Sequence, residues 1–422
     1  MNLKNILFHL TMTISFSLTA ETTFVENGIV YLEHIDDPSK LEAIVMQKKS
    51  PLLYPGQSAY EGDIVIPAKV EHDLDSYEVI GLAPLAFMNC EITSLEIKAP
   101  IKNIRENVIY SNTLKKLILP NTLKTIKLIQ AFSLEEIDFG QGLESIEDLW
   151  IGPVKSLIFP NSLKKINGIL TNENTLVNKN ADFTVKNLKL SDNIKYINGM
   201  DLKFGIPKLK IPASCNTIKS SFNNMPDLSE LDLGSGINEI TRSFEKLPKL
   251  KSLNIPNSVS NINESFQELP KLEKLTFEEG IEVISQSFYE TPNLKELILP
   301  NTITNINNSF NDLSSLQKLV IPNSVVNIDN HSFDGFLNIE EIYFGNEWSN
   351  IEDFNSLFVV KDGKTKKIHF PWKDIPEYRG SVDNNIIEGE ANLIIYVPVG
   401  MADAYKNKWH FLSSQNVQLL EE

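Results

Sequence analysis

Residues 294–315 read LKELILPNTITNINNSFNDLSS, and the stretches around them repeat the phrase. Residues 250–271 are LKSLNIPNSVSNINESFQELPK, residues 272–293 are LEKLTFEEGIEVISQSFYETPN, and residues 316–338 are LQKLVIPNSVVNIDNHSFDGFLN. Two apolar residues spaced two apart, such as Leu297 and Leu299, mark a short strand with one buried face. A proline at the seventh position (Pro256, Pro300, Pro322) stops that strand, because it lacks an N–H and fixes φ. Six residues later comes an isoleucine, at Ile218, Ile240, Ile262, Ile284, Ile306 and Ile328. A phenylalanine follows at Phe222, Phe244, Phe266, Phe288, Phe310 and, one residue late, Phe333.

Working outward, copies of the phrase begin at Ile92, Leu114, Leu134, Val154, Val185, Ile206, Leu228, Leu250, Leu272, Leu294, Leu316 and Ile339, with weaker ones at Glu61, Thr365 and Asn392. A strand, a turn and a short outer segment cannot bury their own apolar side. Stacking turns the Leu, Ile and Phe positions into columns that bury one another, so stability becomes a sum over neighbours. The expected fold is a right-handed repeat solenoid of about fourteen to fifteen strands, roughly 65–70 Å along the stack. It has a parallel sheet on the concave face, and turns, short strands and helical turns on the convex face. The phenylalanine column is expected to be structural.

The flanks are expected to close this stack. Residues 1–20 have the weakly basic start and apolar run of a secretory signal peptide. Residues 21–60 hold two strand-like runs around Asp36-Asp37-Pro38, an N-terminal β cap. Residues 61–391 form the solenoid, and residues 392–422 a last strand, NLIIYVPVG, with a short helix carrying Tyr405 and Trp409. Three stretches, within 171–184, 346–364 and 372–391, lengthen their units and are expected to be loops.

Composition narrows the function. Of the 422 residues, 42% are hydrophobic and 22% charged, with 55 acidic against 39 basic, a formal charge of −16. That sign opposes phosphate-backbone binding, so nucleic acid is not an expected partner. The two cysteines, Cys90 and Cys215, fall about six units or roughly 29 Å apart at sheet spacing, too far to pair. None of the six histidines forms a His-Glu-x-x-His pair, and no Cys-x-x-Cys, phosphate-loop or Gly-x-Ser-x-Gly pattern occurs. No cofactor, metal or catalytic residue is expected.

Residues 60–97, YEGDIVIPAKVEHDLDSYEVIGLAPLAFMNCEITSLEI, carry a more specific likeness. With the internal IPNSV phrases and the closing IYVPVGMADAYKN, they resemble the BspA-like leucine-rich-repeat surface proteins over roughly residues 24–420. The resemblance implies a secreted or surface-exposed bacterial protein, of a kind frequent in gut or oral Bacteroidetes, with an adhesive, protein-binding role. The chain departs from that pattern in carrying Ser-Phe for Ala-Phe, and Leu-Pro or Thr-Pro where cysteine is frequent.

If the fourth and sixth positions of each unit point inward, the third and fifth face outward across the sheet. Partner contacts are therefore expected from Glu230, Asp232, Asn254, Lys274, Thr276, Glu296, Lys318 and Tyr343, with Trp348 and Trp372 on the long loops. The expected partner is a protein, host matrix or bacterial, met by a monomer with no membrane span in its mature chain. Two alternatives remain open: sugar capture by Trp348, Trp372 and Tyr378, or a spacer that binds nothing.

Overall fold

The structure, a computed structural model, describes residues 22–34, 40–50, 57–171, 182–328, 332–333, 338–345, 350–351, 360, 363–378, 392–413 and 416–422. The expected signal peptide lies outside the described residues. So do Trp348 and most of the three long loops.

The chain is a parallel-strand solenoid with few helices. Its first ladder is built from the L-x-x-L-x-[LIF] strands and runs from Glu61–Ile66 to Val417–Glu421, in hydrogen-bonded groups of four, two, two and eight strands. The second ladder has eleven strands, Asn103–Ile104 through Asn327–Ile328. It is centred on the recurring isoleucines, and Ile218, Ile240, Ile262, Ile284 and Ile306 are fully buried. Both ladders send their apolar side chains into one continuous core.

The third side is built in two ways. From Phe87–Met88 to Met200–Asp201 it is a six-stranded parallel sheet. From Ser220 onward an arc replaces the strand, with alternate residues at positive φ: Glu264 (48°), Phe266 (58°) and Glu268 (54°) in one unit, Gln286 (49°), Phe288 (61°) and Glu290 (52°) in the next. A β-unbranched residue in this region costs about 1–2 kcal/mol. Two columns offset that cost. The rings of Phe222, Phe244, Phe266, Phe288, Phe310 and Phe333 are fully buried and stack at 5.3–5.7 Å between centroids. Beside them runs a ladder of buried serines. The N–H of Ser243 donates to the hydroxyl of Ser265 (3.2 Å), that of Ser265 to Ser287 (3.1 Å) and that of Ser287 to Ser309 (3.2 Å). Each hydroxyl in turn donates to the carbonyl two residues before it, as Ser265 does to Asn263 at 2.8 Å.

Both ends are closed. At the N-terminus a five-stranded sheet includes not only Thr23–Glu26, Ile29–His34 and Glu42–Val45 but also Lys69–His72 and Asp75–Leu82, so the cap interleaves with the first unit. Thr23–Glu26 and Ile29–His34 form a hairpin, turning at Asn27 and Gly28, both at positive φ. Asn-Gly suits the two-residue turn that matches strand twist. At the C-terminus the helix Ala402–Lys408 buries Tyr405 and is followed by buried Trp409. Asn392–Val397 is not the last strand: Val417–Glu421 pairs parallel to it. Cys90 and Cys215 are buried and unpaired, as the spacing requires.

Candidate binding face

Along the first ladder the alternation holds: in Glu296–Ile298 the central Leu297 is buried while Glu296 and Ile298 face out. The ladder breaks after Glu136–Asp138, Asn187–Lys189 and Glu230–Asp232. In those three strands the central residue, Ile137, Leu188 or Leu231, is partly exposed, unlike its buried counterparts Leu117, Leu157 and Leu297. The seventh position accounts for two of the breaks. Where proline stands there, the residue before it donates to the next strand: Leu119 N–H to Asp138 O (2.9 Å), Ile211 N–H to Asp232 O (2.8 Å) and Ile321 N–H to Tyr343 O (2.9 Å). Gly140 and Gly234 instead turn at φ +64° and +65°, their N–H groups held by Asp138 and Asp232 at 2.9 Å each. A Cβ there would stand 2.7 Å from the Pro120 carbonyl oxygen and 2.5 Å from that of Ile211. Glycine thus draws the turn back onto the preceding unit and away from the following one. The break after Lys189 precedes Leu190-Ser191, and the glycine account does not extend to it.

Between Leu188 and Thr276 the splayed strands leave a depression of ≈ 890 Å³ across the face. It is lined by five of the expected contact residues, Glu230, Asp232, Asn254, Lys274 and Thr276. Most of these are tied to neighbours. Glu230 pairs with Lys208 (2.8 Å) and Asp232 with Lys210 (3.7 Å). The amide of Asn254 donates to Glu278 (3.0 Å), and its oxygen accepts from Thr276 (2.7 Å). The Asn254–Thr276 bond follows from the parallel register, which sets these residues, 22 apart, side by side.

Glu296, Lys318 and Tyr343 continue the face on the following strands. The Lys318 ammonium sits 4.6 Å from the Tyr343 ring centroid. Tyr343 stacks on His369 at 4.1 Å, and His369 on Tyr396 at 4.4 Å. The ring nitrogens of His369 meet Glu422 (2.7 Å) and Glu341 (3.3 Å). Burial, with Glu341 beside it, holds the Tyr343 phenol above its ordinary range.

Trp372 does not belong to an exposed loop. It is 2% accessible, and its indole N–H donates to Gly345 O (2.7 Å), while Tyr405 Oη donates to the Trp372 carbonyl (2.9 Å). It packs with Phe370 and Trp409 as part of the terminal core and offers no face to a ligand. The side chain of Tyr378 lies outside the described residues. Stacking also turns the broad faces of Tyr343, His369 and Tyr396 toward one another rather than toward solvent, which withdraws them as sugar platforms. The outward positions read from the sequence include Ile298, Val320 and His369, whereas Tyr396 was not named. All four occupy the fifth position of their units, and that position was the available signal.

Burial pushes the Cys90 and Cys215 thiols up to about 11 and about 12, which suppresses the reactive thiolate. Among the described residues no three His, Cys, Asp or Glu side chains gather as a metal set.

Comparison with known proteins bears on the family. No curated protein matches the chain. Among solved structures, it is similar to the pneumococcal vaccine antigen PcpA, with 18% identity, TM-score 0.43, 95% of this chain and 99% of that one covered. It is likewise similar to a leucine-rich repeat protein from Bacteroides ovatus, with 14% identity, TM-score 0.41, and 94% and 99% covered. The model of the BspA type leucine rich repeat region matches residues 76–176, 178–287 and 285–371, most of the solenoid. That match spans more than half of the chain, so the chain belongs to the BspA-type leucine-rich-repeat family.

Proposed function

We propose that the chain is a surface or secreted protein that binds a protein partner through the first face of the solenoid and catalyses no reaction. The depression between Leu188 and Thr276 carries this reading. It is a broad concavity with partly exposed leucines on its floor and charges of both signs on its rim. Small-molecule sites are narrower and more enclosed, with convergent polar groups. An extended, mixed-charge surface suits a macromolecule. Among the described residues no helix is long and apolar enough to cross a membrane. The family supports an outside location.

The test is capture on the immobilised full chain from host-matrix and bacterial-surface extracts, repeated with Glu230→Lys/Asp232→Lys and with Lys274→Glu. Each captured protein is expected to lose about tenfold or more in retention with one of these variants. Capture that no face variant changes would overturn the assignment to this face. Failure to capture anything would favour the spacer reading.

A further inference from the structure

The first face changes character along its length. Over its earlier strands opposite charges neutralise each other across the ladder, as in Lys116–Glu136 (2.8 Å), Lys208–Glu230 (2.8 Å) and Lys210–Asp232 (3.7 Å). From the strand Lys274–Phe277 onward the third position reads Lys274, Glu296, Lys318, Glu341 and Lys367, one charge per strand with alternating sign. Among the described residues Lys274 and Glu296 form no ion pair, and Lys318 leans over the Tyr343 ring. The neighbouring row, at the fifth position, is apolar: Ile298 is 60% and Val320 39% exposed, and Tyr343 follows. This strip joins the depression at Lys274 and Thr276.

Its dimensions narrow the partner. Adjacent strands lie about 4.8 Å apart, so Lys274 and Lys318, two strands apart, stand about 9.6 Å from each other. A polyproline II segment rises about 3.1 Å per residue with three residues per turn, so every third side chain recurs at about 9.3 Å. Glu296, between the lysines, repels an uninterrupted acidic run. Two rows over four to six strands cover on the order of 300 Å², whereas a stable folded partner or second copy needs about 800 Å² per side. One extended segment fits that area, and a proline-rich one loses little entropy on docking.

Resting on the reading of this face as the binding surface, we infer that the strands from Lys274–Phe277 to Glu341–Tyr343 hold a proline-rich, extended segment of the partner. It runs along the stack, with acidic side chains at every third position on Lys274 and Lys318 and apolar rings over Ile298 and Val320.

The probe is a fluorescein-labelled peptide of four Glu-Pro-Pro triplets, compared by anisotropy on the full chain with an isomer that has its glutamates contiguous. The triplet peptide is expected to bind about tenfold tighter than the block isomer in low salt, and to weaken as salt rises. The variant Lys274→Glu/Lys318→Glu should lose that peptide about tenfold and gain a Lys-Pro-Pro counterpart. Both lysines are exposed, and circular dichroism verifies that the variant folds. Equal binding of the two isomers, or no change in the double variant, would overturn the inference. If captured proteins still depended on Glu230 and Asp232 after that result, only the nature of the segment would fall. If the peptide bound as expected while captured proteins ignored every face variant, the broader reading would fall instead.

Discussion

Units 114–133 and 134–153 hold 20 residues and carry a strand on the third side, while those between Ile206 and Leu316 hold 22 and carry an arc. Length alone does not decide this, since unit 92–113 also holds 22 and carries the strand Ile109–Ser111. In the shorter units a strand such as Ile129–Ala131 pairs with both neighbours, and main-chain partners satisfy its polar groups. The longer units have an arc whose N–H groups alternate in direction: Glu264 donates forward to Ser285 O (2.9 Å) and Phe266 back to Ser243 O (3.1 Å). Ser265 N–H finds no carbonyl and takes the Ser287 hydroxyl. One family pattern thus tolerates two solutions. The strand satisfies itself, while the arc requires a particular side chain in each unit.

The contrast can be broken most severely at the ring column. Phe266→Ala, at the centre of six stacked rings, should cost about 3–5 kcal/mol in chemical denaturation. A loss below about 1 kcal/mol would mean that the column does not hold the arc. The serine ladder comes next. Ser265→Ala removes the buried acceptor of the Ser243 N–H and the donor of a part-buried bond to Asn263 O, and should cost about 1–3 kcal/mol. Ser265→Thr, which keeps the hydroxyl, should recover part of that. In the short units, where Ala131 stands in the place of Ser265, the nearby Ser133→Ala removes a part-buried bond from its hydroxyl to Asn112 O (2.5 Å) and should cost less. Equal losses at both sites would erase the distinction drawn here.

A separate, pH-dependent effect concerns the last units. Interior strands point leucine or isoleucine inward, but Thr365–His369 buries Lys366, and loss of hydration lowers its pKa from 10.5 to about 7. Between those values the unfolded chain binds a proton that the folded chain does not, so stability should rise with pH from about 7 to 10.5, by up to about 1.4 kcal/mol per unit. Lys366→Met should flatten that slope. An unchanged slope would refute the assignment.

The repeat period, the inward leucines and isoleucines and the structural role of the phenylalanines were legible in the sequence, because a column position recurs every unit and its burial follows from stacking alone. The serine ladder was visible as Ser-Phe but looked like a tolerated replacement of Ala-Phe. Its role depends on a positive φ at Phe266 and its counterparts, which no propensity favours. The strand Val417–Glu421 was missed because VQLLE lacks clean alternation. Trp372 was assigned to a loop from its neighbours in sequence, whereas its burial depends on Tyr405 and Trp409 from the terminal helical segment. Of the candidate face, the outward positions could be read directly. Its breaks could not, since they arise where Gly140 and Gly234 pull a turn toward the preceding unit.

Cross-linking by engineered cysteines tests the stacking most directly. Glu296 and Lys318 are register partners on adjacent parallel strands, whereas Lys274 and Lys318 are separated by the strand between them. A disulfide needs Cα atoms within about 7 Å. Glu296→Cys/Lys318→Cys should therefore oxidise to an intramolecular disulfide, and Lys274→Cys/Lys318→Cys should not. The reverse pattern, or no disulfide in the adjacent pair, would contradict a stack of units in this register.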